Sequence, residues 1–467
     1  MISVHDLSYT YPEQEAPVLS GISLQAGPGE CICITGHSGC GKSTLLLAIK
    51  GLLHEGLLEG EILLNGRPLT EKERLSGLGI VFQNAESQIL CATVFDEVAF
   101  GPENLCIPPD EINTRIIEAL TAVDLLTFGN RNVERFSAGQ KQRLCIAAVL
   151  SMHPRILLLD EPTSQLDRKG RDDLLDILGR LKALGISIIF AEHSIEPFIE
   201  IIDRYYIMKD GRITVSRDTP PEEYLDNRHL HACLDFRDSP APAAGKPLMS
   251  AEQISLAYPD REPVLNEATL SIMPGELVHL HGENGCGKST LLKTMAGALQ
   301  PDSGRMLFSG RNVPTAGGLL GKVALLFQNP QIQLFEDTVA DEVAFTLKRL
   351  NLPEEEIAHR VQSALSLCEA SHLSTRLPLT LSYGEQHRVA LASLIAPEPG
   401  LLLLDEPFAG LDPTQRLRLL KILAQIREER GTAVLIASHD PLPDPEWADR
   451  IITMQDGKIF PPEDRAR

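Results

Sequence analysis

The sequence predicts an α/β fold in two similar halves, each built around a buried parallel sheet. The chain has 467 residues, which is too many for one ordinary hydrophobic core. A glycine-rich segment at residues 36–44 recurs at residues 282–290, so that Lys42 and Lys288 lie 246 positions apart. Continuous apolar runs at residues 156–159 and 401–404 are typical of central strands that are buried on both faces of a parallel sheet.

The glycine-rich segments predict a phosphate-binding loop between a strand and a helix. An apolar run at residues 31–35 precedes the first loop, and apolar residues from Leu45 onward begin a helical pattern. Glycines allow backbone N–H groups to turn toward phosphate, the lysine reaches the β- and γ-phosphates, and the serine ligates Mg²⁺. The predicted phosphate-binding residues are Gly36, Gly39, Gly41, Lys42, Ser43 and Thr44, and Gly282, Gly285, Gly287, Lys288, Ser289 and Thr290.

Composition limits the classes of function. Hydrophobic residues make up 43% and charged residues 23% of the chain, as in globular proteins, and no apolar run has the length of a membrane span. The net charge of −21 argues against nucleic acid as the main partner. Nine cysteines without a C-x-x-C pair indicate reduced thiols rather than a disulfide framework or a zinc module. The amino terminus has no signal-like pattern, so we expect a cytosolic chain.

Acidic residues and a histidine follow the predicted central strands in both halves. Asp160 and Glu161 come directly after one strand, as Asp405 and Glu406 do in the second half. Ligands of open α/β sheets bind at the carboxyl ends of strands, where one carboxylate holds hydrated Mg²⁺ and the next orients or deprotonates a water. His193 and His439 follow the next predicted strand, on the same side as the phosphate loop, and are predicted to contact the γ-phosphate.

Three further motifs are repeated. Gln83 and Gln328 end short strands, and a Ser-x-Gly turn precedes a helix in each half, which is a second anion-binding N-terminus. Tyr11 and Tyr258 occupy matching places, either as core aromatics or as rings on which a base stacks. Residues 235–247 contain three prolines and no apolar periodicity, which predicts a linker. The Ser-x-Gly residues are Ser137 and Gly139, and Ser382 and Gly384.

In this order, and present twice, the motifs resemble those of the ATP-binding cassette (ABC) ATPases over nearly all of both halves. The resemblance implies a first cassette at residues 1–234, a linker at 235–247 and a second cassette at 248–467. Each would be a P-loop NTPase domain with a parallel core sheet, an antiparallel β subdomain and a helical subdomain. The implied activity is ATP hydrolysis coupled to transmembrane transport, with ATP and Mg²⁺ as cofactors.

The resemblance also assigns the site residues. Cassettes of this family work head to tail, with each ATP held between one phosphate loop and the signature motif of the other cassette. Serine, glutamine and aspartate would complete the Mg²⁺ shell, glutamate would be the base for the attacking water, and histidine would contact the γ-phosphate. One site would use Tyr11, Lys42, Ser43, Thr44, Gln83, Asp160, Glu161 and His193, closed by Ser382 and Gly384. The other would use Tyr258, Lys288, Ser289, Thr290, Gln328, Asp405, Glu406 and His439, closed by Ser137 and Gly139.

Within this family, residues 83–104 resemble the energising ATPases of energy-coupling-factor importers, which take up vitamins and Ni²⁺ or Co²⁺. The second half keeps the pattern only as far as Phe345. This implies membrane-embedded coupling and substrate-binding partners, docking at residues 83–104 and 328–345, and a peripheral location on the cytoplasmic face of the membrane. Two alternatives stay open: the fused ATPase of a sugar importer, and a soluble twin-cassette ATPase acting on ribosomes or nucleic acid.

Two local features carry separate expectations. Glu385 stands in the second signature where glutamine is usual, and its charge is expected to repel phosphate unless the side chain points away. Cys40 and Cys286 precede the Gly-Lys pair of each phosphate loop. A helix N-terminus and a neighbouring lysine are expected to favour their thiolates.

Overall fold

The computed structural model describes residues 1–12, 14, 16–53, 55–164, 166–221, 245–259, 262–313, 318–411, 413–442 and 447–460. The chain forms two compact units, Met1–Asp226 and Asn227–Arg467. Each combines a mostly parallel sheet, an antiparallel sheet and helices, which confirms the predicted fold class. Residues 235–244 of the predicted linker lie outside the described residues, so its limits stay a prediction.

The first unit contains ten strands and six α-helices among its described residues. The strands are β1 (Ile2–Thr10), β2 (Leu19–Ala26), β3 (Cys31–Thr35), β4 (Leu57–Leu64), β5 (Arg67–Pro68), β6 (Leu78–Val81), β7 (Ile156–Asp160), β8 (Ser187–Ala191), β9 (Arg204–Lys209) and β10 (Arg212–Arg217). The helices are α1 (Lys42–Lys50), α2 (Ala85–Gln88), α3 (Val94–Asn104), α4 (Pro109–Ala122), α5 (Ala138–Leu150) and α6 (Arg168–Ala183).

The second unit repeats this plan. Its described strands are β11 (Met249–Ala257), β12 (Pro263–Ile272), β13 (Leu277–His281), β14 (Ser303–Phe308), β15 (Arg311–Asn312), β16 (Val323–Leu326), β17 (Leu401–Asp405), β18 (Ala433–Ser438), β19 (Arg450–Gln455) and β20 (Lys458–Phe460). The described helices are α7 (Lys288–Met295), α8 (Val339–Arg349), α9 (Glu354–Leu367), α10 (Tyr383–Ile395) and α11 (Pro413–Arg430).

The two units share one sheet topology. The larger sheet has the order β10-β9-β3-β8-β7-β6 in the first unit and β20-β19-β13-β18-β17-β16 in the second. All neighbouring strands in it are parallel except the antiparallel edge pairs β9/β10 and β19/β20. The smaller antiparallel sheets have the orders β2-β1-β4-β5 and β12-β11-β14-β15.

Strand β3 shows why the central strands are apolar throughout. Its side chains alternate between two cores: Cys31 and Cys33 pack with the helices, whereas Ile32 and Ile34 pack with the antiparallel sheet. All four side chains are fully buried. A strand that is covered on both faces has few polar residues, because successive side chains point to opposite sides and both sides are buried.

Buried glutamates fix the loop before helix α3 and its counterpart before α8. Glu97 is buried, and its Oε2 accepts hydrogen bonds from the N–H groups of Leu90 at 2.8 Å and Cys91 at 2.7 Å. Glu342 does the same for Phe335 and Glu336, at 2.8 and 2.9 Å. The repeated Asp-Glu-Val-Ala-Phe sequence therefore has a structural role in each unit.

The parallel order brings the carboxyl ends of β3, β6, β7 and β8 to one edge of the sheet, and those of β13, β16, β17 and β18 likewise. The predicted site motifs follow these eight strands. Among the described residues, no helix has the length and apolar character needed to cross a bilayer.

Candidate active site

The phosphate loop of the first unit begins at the end of β3 and ends at the start of α1. Gly41 precedes α1 with φ 101°, and a Cβ there would lie 2.9 Å from Leu19 Cδ2. Gly39 has φ 77°, and a Cβ there would meet nothing within 4 Å, so backbone conformation alone requires glycine at this position. The Lys42 Nζ donates to Gly36 O at 2.9 Å and His37 O at 3.1 Å, which folds the loop around the ammonium group.

The second unit has the same loop. Gly285 and Gly287 have φ 84° and 109°. Lys288 Nζ donates to Gly282 O at 2.7 Å and to Glu283 O at 3.0 Å. Both loops therefore present a buried ammonium group and a helix N-terminus at one place, an arrangement that suits a bound polyphosphate.

A hydroxyl and a carboxylate lie together beside each loop. Ser43 Oγ donates to Asp160 Oδ1 at 3.0 Å. Burial, followed by the charge of Glu161, raises the pKa of Asp160 to about 6. Burial also raises the pKa of Asp405, against a hydrogen bond from Ser289 that lowers it. A cation at this place would relieve the cost of burying each carboxylate.

These donors fit Mg²⁺. Asp405 Oδ1 is a buried oxygen that has no hydrogen-bond partner among the described residues, so it is available to a cation. Mg²⁺ prefers oxygen ligands and keeps several waters, so that one serine and one aspartate, with phosphate oxygens, make a suitable set.

The residue after β7 has an unusual backbone conformation. Glu161 has φ 44°, a left-handed conformation that is uncommon outside glycine, and its N–H donates to Ala191 O at 3.0 Å. Its side chain accepts hydrogen bonds from Gln83 Nε2 at 2.7 Å and from His193 Nε2 at 2.6 Å. The structure thus brings the predicted glutamine, glutamate and histidine together.

His193 connects this glutamate to the phosphate loop, because its Nδ1 lies 3.1 Å from Gly36 O. Burial lowers the pKa of His193, but the hydrogen bond and charge of Glu161 outweigh burial and raise it. An imidazolium that donates from both nitrogens satisfies both contacts.

The second unit arranges its glutamate differently. Glu406 also has a positive φ, 47°, and its N–H donates to Ala437 O at 2.8 Å. Its carboxylate lies 2.9 Å from His439 Nδ1 and 3.3 Å from Lys288 Nζ. Glu406 therefore contacts the loop lysine as well as its histidine, whereas Glu161 contacts Gln83 and His193.

The predicted tyrosines lie over the first turn of each loop helix. Tyr11 OH is 3.2 Å from Thr44 Oγ1, and Tyr258 OH is 3.4 Å from Thr290 Oγ1. Tyr11 also stacks edge to face on Tyr9, with ring centroids 4.9 Å apart. Each ring is only partly buried, so it packs on the core and retains an accessible face.

The signature residues begin helices α5 and α10. Ser137 N–H donates to Gln140 Oε1 at 3.0 Å, and Gln140 N–H donates to Ser137 Oγ at 3.3 Å. In the second unit, Ser382 N–H and Oγ both donate to Glu385 Oε2, at 2.9 and 2.7 Å. Glu385 therefore faces its own helix cap, and Gly139 and Gly384 lie within the first turns of these helices.

The roles of two site residues, Gln88 and Glu192, were not predicted from the sequence. Gln88 accepts from Phe82 N–H at 2.9 Å and donates to Ile80 O at 3.0 Å, and Gln333 makes the corresponding pair of bonds in the second unit. Repetition of this glutamine at the same spacing was the available signal. Glu192 is buried beside the site, where it accepts from Thr163 Oγ1 at 2.7 Å. Its position in the second unit holds a serine, so no repeat pointed to it.

The expectation that the loop thiolates are favoured is wrong. Burial raises the pKa of Cys40 and of Cys286, and the nearby lysines only partly oppose this effect. The Cys40 Sγ lies 2.9 Å from the place that a Cβ on Gly36 would take, so the thiol lies beneath the loop. Desolvation outweighs the lysine charge because the side chain points into the core.

A model of the ABC transporter family matches residues 19–164 and 265–409. A candidate ABC transporter ATP-binding protein of Methanosarcina mazei is 34% identical, covering 98% of this chain and 88% of that protein. Candidate proteins of the same description from Bifidobacterium longum and Caldanaerobacter subterraneus subsp. tengcongensis are 32% and 31% identical, covering 96% and 98% of this chain and 64% and 90% of their own lengths. The solved structure of cbiO1 from Clostridium perfringens, described as part of the ABC transporter complex cbiONQ, is 34% identical, covers 46% of this chain and 88% of its own, and has a TM-score of 0.43. The chain belongs to the ABC transporter family, and its two ABC ATP-binding domains make it an ATP hydrolase.

Proposed function

We propose that this protein powers an ABC importer of the energy-coupling-factor type, which takes up a vitamin or Ni²⁺ or Co²⁺. The observation that carries the proposal is a pair of exposed apolar surfaces next to Gln83 and Gln328. Leu90 is 69% and Phe100 is 43% exposed in the first unit, and Ile332 is 68% and Phe335 is 59% exposed in the second. Leu90 and Phe335 occupy matching places, because a buried glutamate holds the N–H of each. Apolar side chains that are exposed in the same region of both units suit docking to a partner.

Hydrogen bonds connect the first of these surfaces to the reacting centre. Gln83 contacts Glu161, Gln88 braces the strand that precedes Gln83, and the Glu97 carboxylate holds the N–H of Leu90. Movement of a docked partner would therefore reach the glutamate through a short series of polar contacts. This connection supports coupling of hydrolysis to transport.

The chemistry proposed for each site follows from its geometry. The loop amides and Lys42 bind and orient the phosphates, which lowers the entropic barrier to reaction. Glu161 accepts a proton from the water that attacks the γ-phosphorus. His193 holds Glu161 through Nε2, and its Nδ1 would exchange Gly36 O for the transferred phosphate. Ser43, Asp160 and Gln83 would hold Mg²⁺, which would neutralise the developing charge on the phosphate. Glu406, His439, Lys288, Ser289, Asp405 and Gln328 would have these roles in the second unit.

Three expectations belong to this proposal. The two units would close ATP with each other's signature residues, the partners would be membrane-embedded coupling and substrate-binding subunits, and the chain would act at the cytoplasmic face of the membrane. The tandem ATP-binding domains and the resemblance of residues 83–104 support these expectations.

The acids Asp96 and Asp341 are poor positions at which to test docking. Thr93 Oγ1 and Thr338 Oγ1 donate to them at 2.5 and 2.7 Å at the starts of α3 and α8, so charge reversal would damage helix caps. Exposed leucine and isoleucine side chains avoid this problem.

The test is the double variant Leu90→Glu with Ile332→Glu, expressed with the membrane proteins of its host. We expect loss of copurifying membrane subunits and of uptake, with basal ATP hydrolysis within about twofold of the parent because neither side chain touches the site. The matched control is Leu184→Glu, at a side chain that follows α6 and is 75% exposed. This variant should keep both copurification of the membrane subunits and uptake. Normal copurification and uptake by the double variant would contradict the proposed docking. Identification of the copurified subunits as sugar-importer or ribosomal proteins would contradict the importer type.

A further inference from the structure

We propose that Glu385 is a positioning residue that holds the hydroxyl proton of Ser382, so that the second signature binds the γ-phosphate of ATP less strongly than the first. The inference rests on the proposed use of the signatures in ATP binding. It goes beyond that proposal because it makes the two signatures unequal and assigns the difference to one side chain.

The hydrogen bonds of Ser382 carry the argument. Its N–H and its Oγ both donate to the same carboxylate oxygen of Glu385, at 2.9 and 2.7 Å. A hydroxyl that donates to a carboxylate forms a charge-assisted bond, which is stronger than a bond between neutral groups. A γ-phosphate oxygen is also only an acceptor, so it needs the same proton. Phosphate binding must therefore break the bond to Glu385 and approach its negative charge.

The first signature lacks this competition. Ser137 Oγ accepts from Gln140 N–H at 3.3 Å, and Gln140 Oε1 accepts from Ser137 N–H at 3.0 Å. Among the described residues, the Ser137 hydroxyl donates to no side chain, so its proton is available to phosphate. The side chain at the corresponding position is neutral, so no like charge opposes the phosphate.

Other contacts also attach the second signature to its own unit. Tyr383 OH donates to Gln328 O at 3.1 Å, and the Gln415 amide lies so close to Gly384 that a Cβ there would be 2.1 Å from Nε2. The first unit has Ala138 and Gly170 at these places, where a Cβ on Gly139 would be a comfortable 3.6 Å from Gly170 Cα. The second signature is thus more crowded as well as more negatively charged.

The test uses the reciprocal variants Glu385→Gln and Gln140→Glu in the full chain. Both are made in a background with Glu161→Gln and Glu406→Gln, so that ATP is bound without turnover. Calorimetric titration gives the Kd for Mg-ATP and, separately, for Mg-ADP. We expect Glu385→Gln to tighten one class of ATP site by about fivefold, the ratio between a charged and a neutral hydrogen bond, and Gln140→Glu to weaken the other similarly. ADP lacks the γ-phosphate, so its Kd should stay unchanged in both variants.

The direction of the change in ATP affinity separates this role of Glu385 from a structural one. A carboxylate near a helix N-terminus stabilises the helix, so loss of Glu385 charge should lower the thermal midpoint. A structural role therefore predicts weaker ATP binding in Glu385→Gln, whereas we expect tighter binding. An unchanged or weaker ATP Kd in Glu385→Gln, or equal shifts for ATP and ADP, would overturn the inference. Because these titrations need no membrane partner, they leave the importer proposal to its own copurification test.

Discussion

Replacement of Asp160 by asparagine should stabilise the nucleotide-free protein while it removes a ligand of the proposed Mg²⁺ site. Asp160 lies at the carboxyl end of β7, and burial followed by the charge of Glu161 raises its pKa to about 6 from 3.8. Asparagine has nearly the same shape, and its Oδ1 can still accept the hydrogen bond from Ser43. The substitution therefore removes a partly buried charge with little change in packing.

The size of the stability gain in Asp160→Asn, and the pH range over which it develops, follow from proton linkage. A carboxyl whose pKa is raised on folding binds more protons in the native state than in the unfolded state, so stability falls as pH rises through the interval between the two pKa values. The interval is about two pH units, and each unit corresponds to about 1.4 kcal/mol, which gives an upper value of about 3 kcal/mol. Asp160→Asn should therefore match the parent below about pH 4 and exceed it by up to about 3 kcal/mol above about pH 6.

Thermal unfolding of parent and variant, followed from pH 4 to pH 8, measures this difference. For a unit of this size, 3 kcal/mol corresponds to a rise in the midpoint of roughly 6 to 12 °C. The exposed variant Glu59→Gln removes one negative charge from a solvated strand and should leave the midpoint unchanged. A stability difference that does not vary with pH, or a destabilised Asp160→Asn protein, would refute the reasoning.

Three further predictions concern the reacting glutamates, a buried carboxylate and the thiols. Glu161→Gln or Glu406→Gln alone should each lower phosphate release substantially, and both together should lower it by at least about 100-fold, because each removes a proposed general base; a single variant at full rate would show that its site does not turn over. Glu97→Ala leaves two backbone N–H groups without their acceptor and should reduce the free energy of unfolding in urea by about 2 kcal/mol, and an unchanged value would contradict this role. Among the eight described cysteines, exposed Cys106 should react with maleimide well before buried Cys40, as peptide mass spectrometry would report, and equal rates would contradict the burial argument.

The sequence predicted the sheet and the order of the site motifs because these depend on local patterns. The apolar runs at residues 31–35 and 156–159 are strands Cys31–Thr35 and Ile156–Asp160 in the structure. Parallel strands place their carboxyl ends at one edge, so that motifs far apart in the chain were expected to meet there. The repeat strengthened each assignment, because an accidental motif is not expected twice in the same order.

The sequence did not predict which groups hold the glutamates. The contact between Gln83 and Glu161 joins residues 78 positions apart, and the contact between Tyr383 and Gln328 joins residues 55 positions apart. Contacts between residues so far apart in the chain depend on the placement of whole elements, which the hydrophobic pattern does not determine. The prediction of a lowered pKa for Cys40 failed for a related reason. Its neighbours in the chain indicated a lowered pKa, but burial of the side chain in the fold raises the pKa.

The turn after β7 combines two unfavourable features, and this combination is itself informative. Glu161 has a left-handed backbone conformation, which costs of order 1 kcal/mol or more for a residue with a Cβ, and the preceding Asp160 is a partly buried acid whose pKa burial raises. Glycine would relieve the backbone cost and asparagine would relieve the burial cost, yet the second unit has the same residues and nearly the same φ at Glu406. A turn that served only to connect strand β7 to helix α6 would gain stability from either substitution. The retention of both acids in both units therefore agrees with a role in chemistry at each site rather than in folding.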